Sequence, residues 1–237
     1  MSLWTRITEA IAALTAGEGL TVVFDRLRGG AVPERSVGFT IAVIALGAKM
    51  AKADGEVTRD EVATFRSIFQ IPPEEELHAA QVYNLARQDV AGFDAYARKV
   101  AVLFNKPGQS LCADDRNVLI DILEGLFQIA MSDGKYHPAE DAFLTEVARI
   151  FGLDDRCFRV LRGRFVDGAP RDPFDVLGLP PTASLDEARK AWRTAVKDSH
   201  PDVMVARGVP AEAVQLATRR LIAINAAWDE IQTKVAA

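Results

Sequence analysis

Apolar residues recur at steps of three and four along most of this chain, and strand-like alternation is scarce. Leu3, Ile7, Ile11 and Leu14 open the pattern. They predict a small amphipathic helix over residues 1–16, with Trp4 near its apolar face. Two readings fit that helix: one lying on a membrane surface or a partner, and an arm packed on its own domain. Its polar face lacks the Lys and Arg of surface-binding helices, which favours the arm. Gly29, Gly30 and Pro33 then predict a joint. Residues 37–165 read as a series of helices punctuated by Pro72 and Pro73, by Asn105 to Gly108, and by Phe151 and Gly152. The longest apolar run, residues 37–48, ends at Lys49. A membrane span needs about 20 apolar residues, so this run predicts a buried helix.

A second pattern starts after residues 163–173, where glycine, proline and charge mix without periodicity around Gly168, Ala169 and Pro170. Pro173 suits the first position of a short helix and Gly178 its stop. Ser184 and Glu187 form a capping box that opens a second helix. Leu185, Ala188, Trp192 and Ala195 line one face of it. Arg189, Arg193 and Lys197 line another at four-residue spacing, with Lys190 beside them. Pro201 forces this helix to end, because the residue before a proline is pushed out of the α region. Pro210 and Glu212 suit the start of a third helix. Its stripe is Val214, Ala217, Leu221, Ile224, Trp228, Ile231 and Val235. Trp192 and Trp228 are expected to anchor a small core between the second and third helices. The fold class is therefore all-α, in four parts. Residues 1–36 form the N-terminal helix and joint, 37–165 a helical domain, 166–172 a linker, and 173–237 a helical hairpin with a short first helix.

Composition narrows the function. Apolar residues make up 49% and charged residues 26%, the balance of a folded globular chain. A net charge of −5 argues against a general nucleic-acid binder. Cys112 and Cys157 form no C-x-x-C pair, which fits reduced, buried thiols in a cytoplasmic protein. The first residues carry one basic side chain, and Glu9 interrupts the apolar pattern, so no secretory signal is read there. His78, His137 and His200 share no triad or metal-ligand spacing, and the chain does not read as an enzyme.

The helical domain contains an internal repeat. Asp54, Gly55 and Glu61 in the first copy match Asp133, Gly134 and Glu140 in the second. Gly55 and Gly134 fit the left-handed residue that closes a helix. Thr58 and Glu61 make a capping box, and His137, Pro138 and Glu140 repeat its geometry. A second reading gathers the carboxylates of Asp54, Glu61, Asp133 and Glu140 around a hard divalent cation such as Ca²⁺ or Mg²⁺. Four carboxylates are fewer than a tight Ca²⁺ site uses, and neither copy fits the EF-hand loop. Both glutamates already have a capping role, which favours the structural reading. These paired segments resemble the TerB-like domain, known from tellurite-resistance proteins and from the DjlA group of co-chaperones. The resemblance implies a compact helical bundle with an acidic, metal-associated surface. Lys135 stands where the first copy has Glu56, which weakens a second-copy metal site.

The sharpest feature is His200-Pro201-Asp202 at the end of the basic helix. Val176 to Leu179, then Ala188 to Arg193, then His200-Pro201-Asp202, then Ile224 to Trp228 resemble a J-domain in its full order. The loop from Val205 to Pro210 is similar to that of the DjlA group, which joins a TerB-like domain to a C-terminal J-domain. The resemblance implies a co-chaperone that recruits a DnaK-type chaperone and stimulates its ATP hydrolysis. It assigns partner binding to His200, Pro201, Asp202, Arg189, Lys190, Arg193 and Lys197. Val203 departs from the basic residue that commonly follows the turn. DjlA members usually carry an N-terminal transmembrane helix, and none is readable here, leaving only peripheral membrane contact through the first helix. The glycine/phenylalanine-rich stretch and zinc module of full-length DnaJ are also missing, so independent client binding is not supported. The alternative function is a cation-binding stress-response module with an accessory J-domain.

Overall fold

A helix that is apolar on all sides must be covered on all sides, and the run beginning at Val37 becomes the hub of the structure. The computed structural model describes residues 3–236 except 15–17, 29, 55–62, 65, 68–70, 72, 90–91, 105–112, 167, 169–170 and 211–214. Its helices are α1 (Leu3–Ala12), α2 (Thr21–Leu27), α3 (Val32–Asp54), α4 (Glu76–Gln88), α5 (Phe93–Phe104), α6 (Ala113–Ala130) and α7 (Pro138–Ile150). They continue as α8 (Asp155–Phe165), α9 (Pro173–Val176), α10 (Leu185–Asp198), α11 (Pro201–Arg207) and α12 (Gln215–Ala236). A 3₁₀ turn, Pro73–Glu75, leads into α4. The described residues contain no strand, in keeping with an all-α class. No helix among them is long and apolar enough to cross a membrane.

Phe39, Ile41, Ala42, Val43, Ala45 and Leu46 of α3 are fully buried. The helix touches α1, α2, α4, α5, α6, α7 and α11. α6 is the second buried rod, with Val118, Leu119, Ile122, Leu123, Leu126 and Phe127 inaccessible. The N-terminal helix does not stand apart. Trp4 and Ile7 lie in the same core as α3, so the apolar face of α1 is covered by its own bundle. α2 is an element the spacing did not predict. It buries Val23 and Phe24, and Phe24 meets Tyr96 edge-on at 6.3 Å. Because α3 already begins at Val32, the boundary placed after residue 36 falls inside a helix. At the other end Gly163 lies within α8, which continues to Phe165.

The second copy of the repeat is described, and of the matched residues of the first only the backbone of Asp54 is, at the end of α3. Gly134 has φ +77°, the left-handed conformation a helix stop requires. Pro138 then opens α7, and Glu140 Oε2 accepts a hydrogen bond from the His137 amide at 2.9 Å. Gly55, Thr58 and Glu61 lie outside the described residues, as do Gly29, Pro72, Asn105 to Gly108, Cys112, Glu212 and Val214.

In the C-terminal module the predicted caps form. Asp172 Oδ1 accepts from the Phe174 amide at 2.9 Å, and Gly178 has φ +74°. Glu187 Oε2 accepts from the Ser184 amide at 2.8 Å, and Ser184 Oγ accepts from the Glu187 amide at 3.3 Å. α10 packs on α12 with Trp192 stacked on Trp228 at 5.4 Å. Trp192 Nε1 also donates to Asn225 Oδ1 at 2.9 Å. The module's own core is small: Leu177, Ala188, Ile224, Trp228 and Ile231.

Where the spacing predicted only a loop after Pro201, a further helix, α11, forms. Pro201 occupies its first turn, where a missing N–H costs nothing. Gly208 closes it at φ +107°. Met204, Val209 and Leu216 from this stretch join the core of the large bundle. The two halves are therefore packed together at the segment that follows the His-Pro-Asp motif.

Candidate functional site

Two helices meet at His200. Ser199 is the C-cap of α10, and His200 is the N-cap of α11, its Nδ1 accepting from the Asp202 amide at 3.2 Å. Pro201 fixes the backbone between them, since its ring locks φ near the helical value. The side chains of His200 and Asp202 are 59% and 92% exposed, with Nδ1 and Oδ2 3.7 Å apart. Ser199, directly before them, is buried. The corner thus presents a protruding tip on a fixed base.

The basic face of α10 leads to this tip. Arg189, Lys190, Arg193 and Lys197 are all exposed, and among the described residues no carboxylate pairs with Arg193 or Lys197. Arg189 lies 6.0 Å from the Trp228 ring centroid, where cation–π attraction is weak. All seven residues assigned to partner binding are accordingly on one helix or on the corner that follows it, and none of the cations points into the core.

Arginines that the spacing did not single out hold the base. Arg207 is 7% exposed, and its Nη1 donates to the Asp198 carbonyl at 3.0 Å. Arg35 of α3 donates from Nε to the Arg207 carbonyl and from Nη2 to Asp115 Oδ1, both at 2.8 Å. Deeper in the seam, Arg220 of α12 donates to Asp121 Oδ1 and to both carboxylate oxygens of Glu124 on α6, the latter at 2.8 and 3.1 Å. Arg164 of α8 also binds Glu124. Arg156 of α8 adds a link to Asp175 Oδ1 at 2.8 Å and to the Gly178 and Leu179 carbonyls.

The two seam carboxylates respond differently to burial. For Asp121 burial dominates and pushes the pKa up to about 6; Arg220 opposes this and Glu124 reinforces it. Glu124 is equally buried, but Arg220 and then Arg164 outweigh that effect and hold its carboxyl below the usual range. Burial alone would lower the affinity of Arg220 for its proton, but Asp121 and Glu124 outweigh that effect and raise it above the ordinary value. Cys157, half-buried beside this seam, is a free thiol whose pKa burial pushes up. Such a group stays protonated and unreactive.

The four carboxylates read as a cation site fare differently. Asp54 ends α3 with its side chain outside the described residues, and Glu61 lies outside them altogether. Asp133 Oδ1 accepts from the Lys135 amide at 2.8 Å, and Glu140 is engaged at the start of α7. Among the described residues no three His, Cys, Asp or Glu side chains gather as metal ligands would. Only Asp133 and Glu140 of the four are therefore described with their side chains.

Comparison with known proteins agrees with this architecture. The family described as tellurite resistance protein TerB matches residues 40–163. The chain is 28% identical to the co-chaperone protein DjlA of Photobacterium profundum, over 84% of this chain and 78% of that protein. It is 25% identical to DjlA of Escherichia coli strain K12 over 98% of both chains. DjlA of Coxiella burnetii is 25% identical over 77% of this chain and 72% of that protein. No solved structure matches. The chain belongs to the TerB family, and its likeness to DjlA co-chaperones runs beyond the TerB segment through the C-terminal module.

Proposed function

We propose that this protein is a J-domain co-chaperone that recruits a DnaK-type chaperone and stimulates that partner's ATP hydrolysis. The observation that carries the reading is the exposed His200-Pro201-Asp202 corner at the end of an exposed row of cations, in a chain similar to DjlA co-chaperones along most of its length. Arg189, Lys190, Arg193 and Lys197 meet an acidic surface on the chaperone. Contacts of that kind raise the association rate and fix orientation more than they add affinity, and salt screens them.

The corner then acts by differential binding. A co-chaperone shifts its partner toward the hydrolysis-competent state only by binding that state better than the others. Asp202 offers an exposed carboxylate, which forms strong charge-assisted hydrogen bonds with a guanidinium or backbone amides. His200 supplies the imidazole beside it, and Pro201 keeps the two in fixed relation. The protein performs no catalysis of its own in this scheme, and it works in the cytoplasm alongside its nucleotide-driven partner.

The second reading is a cation-responsive stress module in the TerB-like bundle. In it Asp133 and Glu140 each give one oxygen to a backbone amide and ligate the ion as well, and calorimetry of the full chain with Ca²⁺, Mg²⁺ and Zn²⁺ tests it. The test of the co-chaperone reading is capture of a purified DnaK-type chaperone on the immobilised full chain, with and without ATP. Retention that requires ATP and is lost in His200→Gln supports the proposal. Equal retention by the variant contradicts it.

A further inference from the structure

A J-domain corner that projects into solvent needs something beneath it to keep its shape, and here the support comes from the other half of the molecule. The ten-residue stretch from Asp198 to Arg207 is closed on itself, because Arg207 reaches back to the Asp198 carbonyl at 3.0 Å and to its Oδ1 at 3.7 Å. The side chains of His200 and Asp202 stand out from that loop, 59% and 92% exposed. Among the described residues their polar side-chain contacts are with one another, the 3.2 Å cap and a 3.7 Å Nδ1–Oδ2 approach. What fixes the closed loop from below is Arg35. Its Nε donates to the Arg207 carbonyl and its Nη2 to Asp115, each at 2.8 Å, while its guanidinium lies 5.3 Å from the Phe104 ring centroid.

Three further observations show how closely the two halves meet at this point. Met204 and Val209 are buried in the bundle core and not in the small core of the J-domain. Gly208 passes so near α3 that a Cβ on it would lie 2.5 Å from the Arg35 Cβ. Arg207 and Ser199, at the two shoulders of the corner, are 7% and 3% exposed.

We infer that Arg35 is a positioning residue for the His200-Pro201-Asp202 corner, acting through Arg207, so that the TerB bundle sets the conformation in which the J-domain is presented. The inference rests on the proposed co-chaperone function for its consequence, but not for its geometry. One guanidinium holds Asp115 with one edge and the corner's closing residue with another. Lysine has a single ammonium and cannot reproduce that two-edged grip. Any event on the bundle that moves α3 relative to α6 would reach the corner by this route.

The test compares the full-length wild type with Arg35→Lys and Arg35→Ala. Hydrogen–deuterium exchange is read over residues 199–209, together with single-turnover stimulation of a DnaK-type chaperone. Exchange in that segment should rise about tenfold in Arg35→Ala, and less in Arg35→Lys, as local opening becomes easier. Amides of α10 away from the corner should be unchanged. Maximal stimulation should fall severalfold, while the concentration giving half of it moves less than about twofold, because the cations that steer association are untouched. Wild-type exchange over 199–209 in folded Arg35→Ala overturns the inference. Should that variant not fold, Arg35→Lys carries the same reading. Faster exchange with no stimulation even by wild type would uphold the positioning role and sink the co-chaperone reading. Loss of stimulation in His200→Gln but not in Arg35→Ala would do the reverse.

Discussion

Arg220 of the last helix lodges its guanidinium between Asp121 and Glu124 of the bundle, so one buried ion network spans both halves of the chain. Removing such charges from water is costly, and their mutual attraction offsets the cost only while every partner is present. Arg220→Met should therefore destabilise the protein by about 3–5 kcal/mol, since it takes the guanidinium from two buried carboxylates, leaving Glu124 with Arg164 and Asp121 with only the more distant charge of Arg207 among the described residues. Urea denaturation of the full chain measures this. A loss under about 1 kcal/mol would mean that the network adds little to stability.

Asp121 also predicts a pH dependence. Its folded pKa is pushed up to about 6 from an ordinary 3.8. Between those values the folded state holds a proton that the unfolded chain releases, so this group's contribution to stability falls as pH rises and levels off above about pH 6. Asp121→Asn has no such proton to lose. The stability of wild type relative to Asp121→Asn should decline by up to about 1.4 kcal/mol per pH unit across that window. Glu124 runs the other way: its contribution is complete above the unfolded value of 4.5 and is lost as pH falls through its lower folded pKa. A wild-type-to-variant difference that stays constant from pH 4.5 to 7 would contradict the assignment for Asp121.

Trp4 decides between the two readings of the first helix. Its side chain and that of Ile7 are inside the bundle core. Trp4→Ala should cost about 3–5 kcal/mol, the usual penalty for emptying a core position of this size. The folded wild type should also fail to co-sediment with anionic vesicles. Near-neutral stability for the variant, or strong vesicle binding by wild type, would show that α1 leaves the bundle.

The charge row on α10 gives a kinetic prediction. Reversing Arg193 and Lys197 to glutamate should slow association with a DnaK-type chaperone, most strongly at low salt, because the steering potential is screened beyond about 10 Å at 0.1 M salt. Association rates measured across a salt series test this. An effect independent of salt would point to disturbed folding instead of lost steering.

Much of this architecture was legible in the residues. The apolar run from Val37, the capping box of Ser184 and Glu187 and the Gly134 stop each follow from local chemistry that needs no partner element, and the paired tryptophans follow from the facing stripes of α10 and α12. The helix α11 was not legible, because Pro201 reads equally as the end of one helix and the start of the next. Only the cap made by His200 and the left-handed Gly208 distinguish the two. The seam between the halves was hidden for a different reason: Arg35, Arg207 and Arg220 look like ordinary surface charge until the fold brings them to their partners. One signal did exist. Asp121 and Glu124 sit three apart within the apolar run of α6, and buried carboxylates at that spacing require a buried cation from elsewhere.

The central claim is that the exposed corner, and not the fold in general, transmits the signal to the chaperone. His200→Gln probes it directly. His200 is mostly solvent-exposed, and glutamine retains an acceptor for the start of α11, so the fold should survive the change. Single-turnover ATP hydrolysis by a DnaK-type chaperone should accelerate with wild-type protein and return to the unstimulated rate with the folded variant. Stimulation by His200→Gln equal to that by wild type would contradict the account.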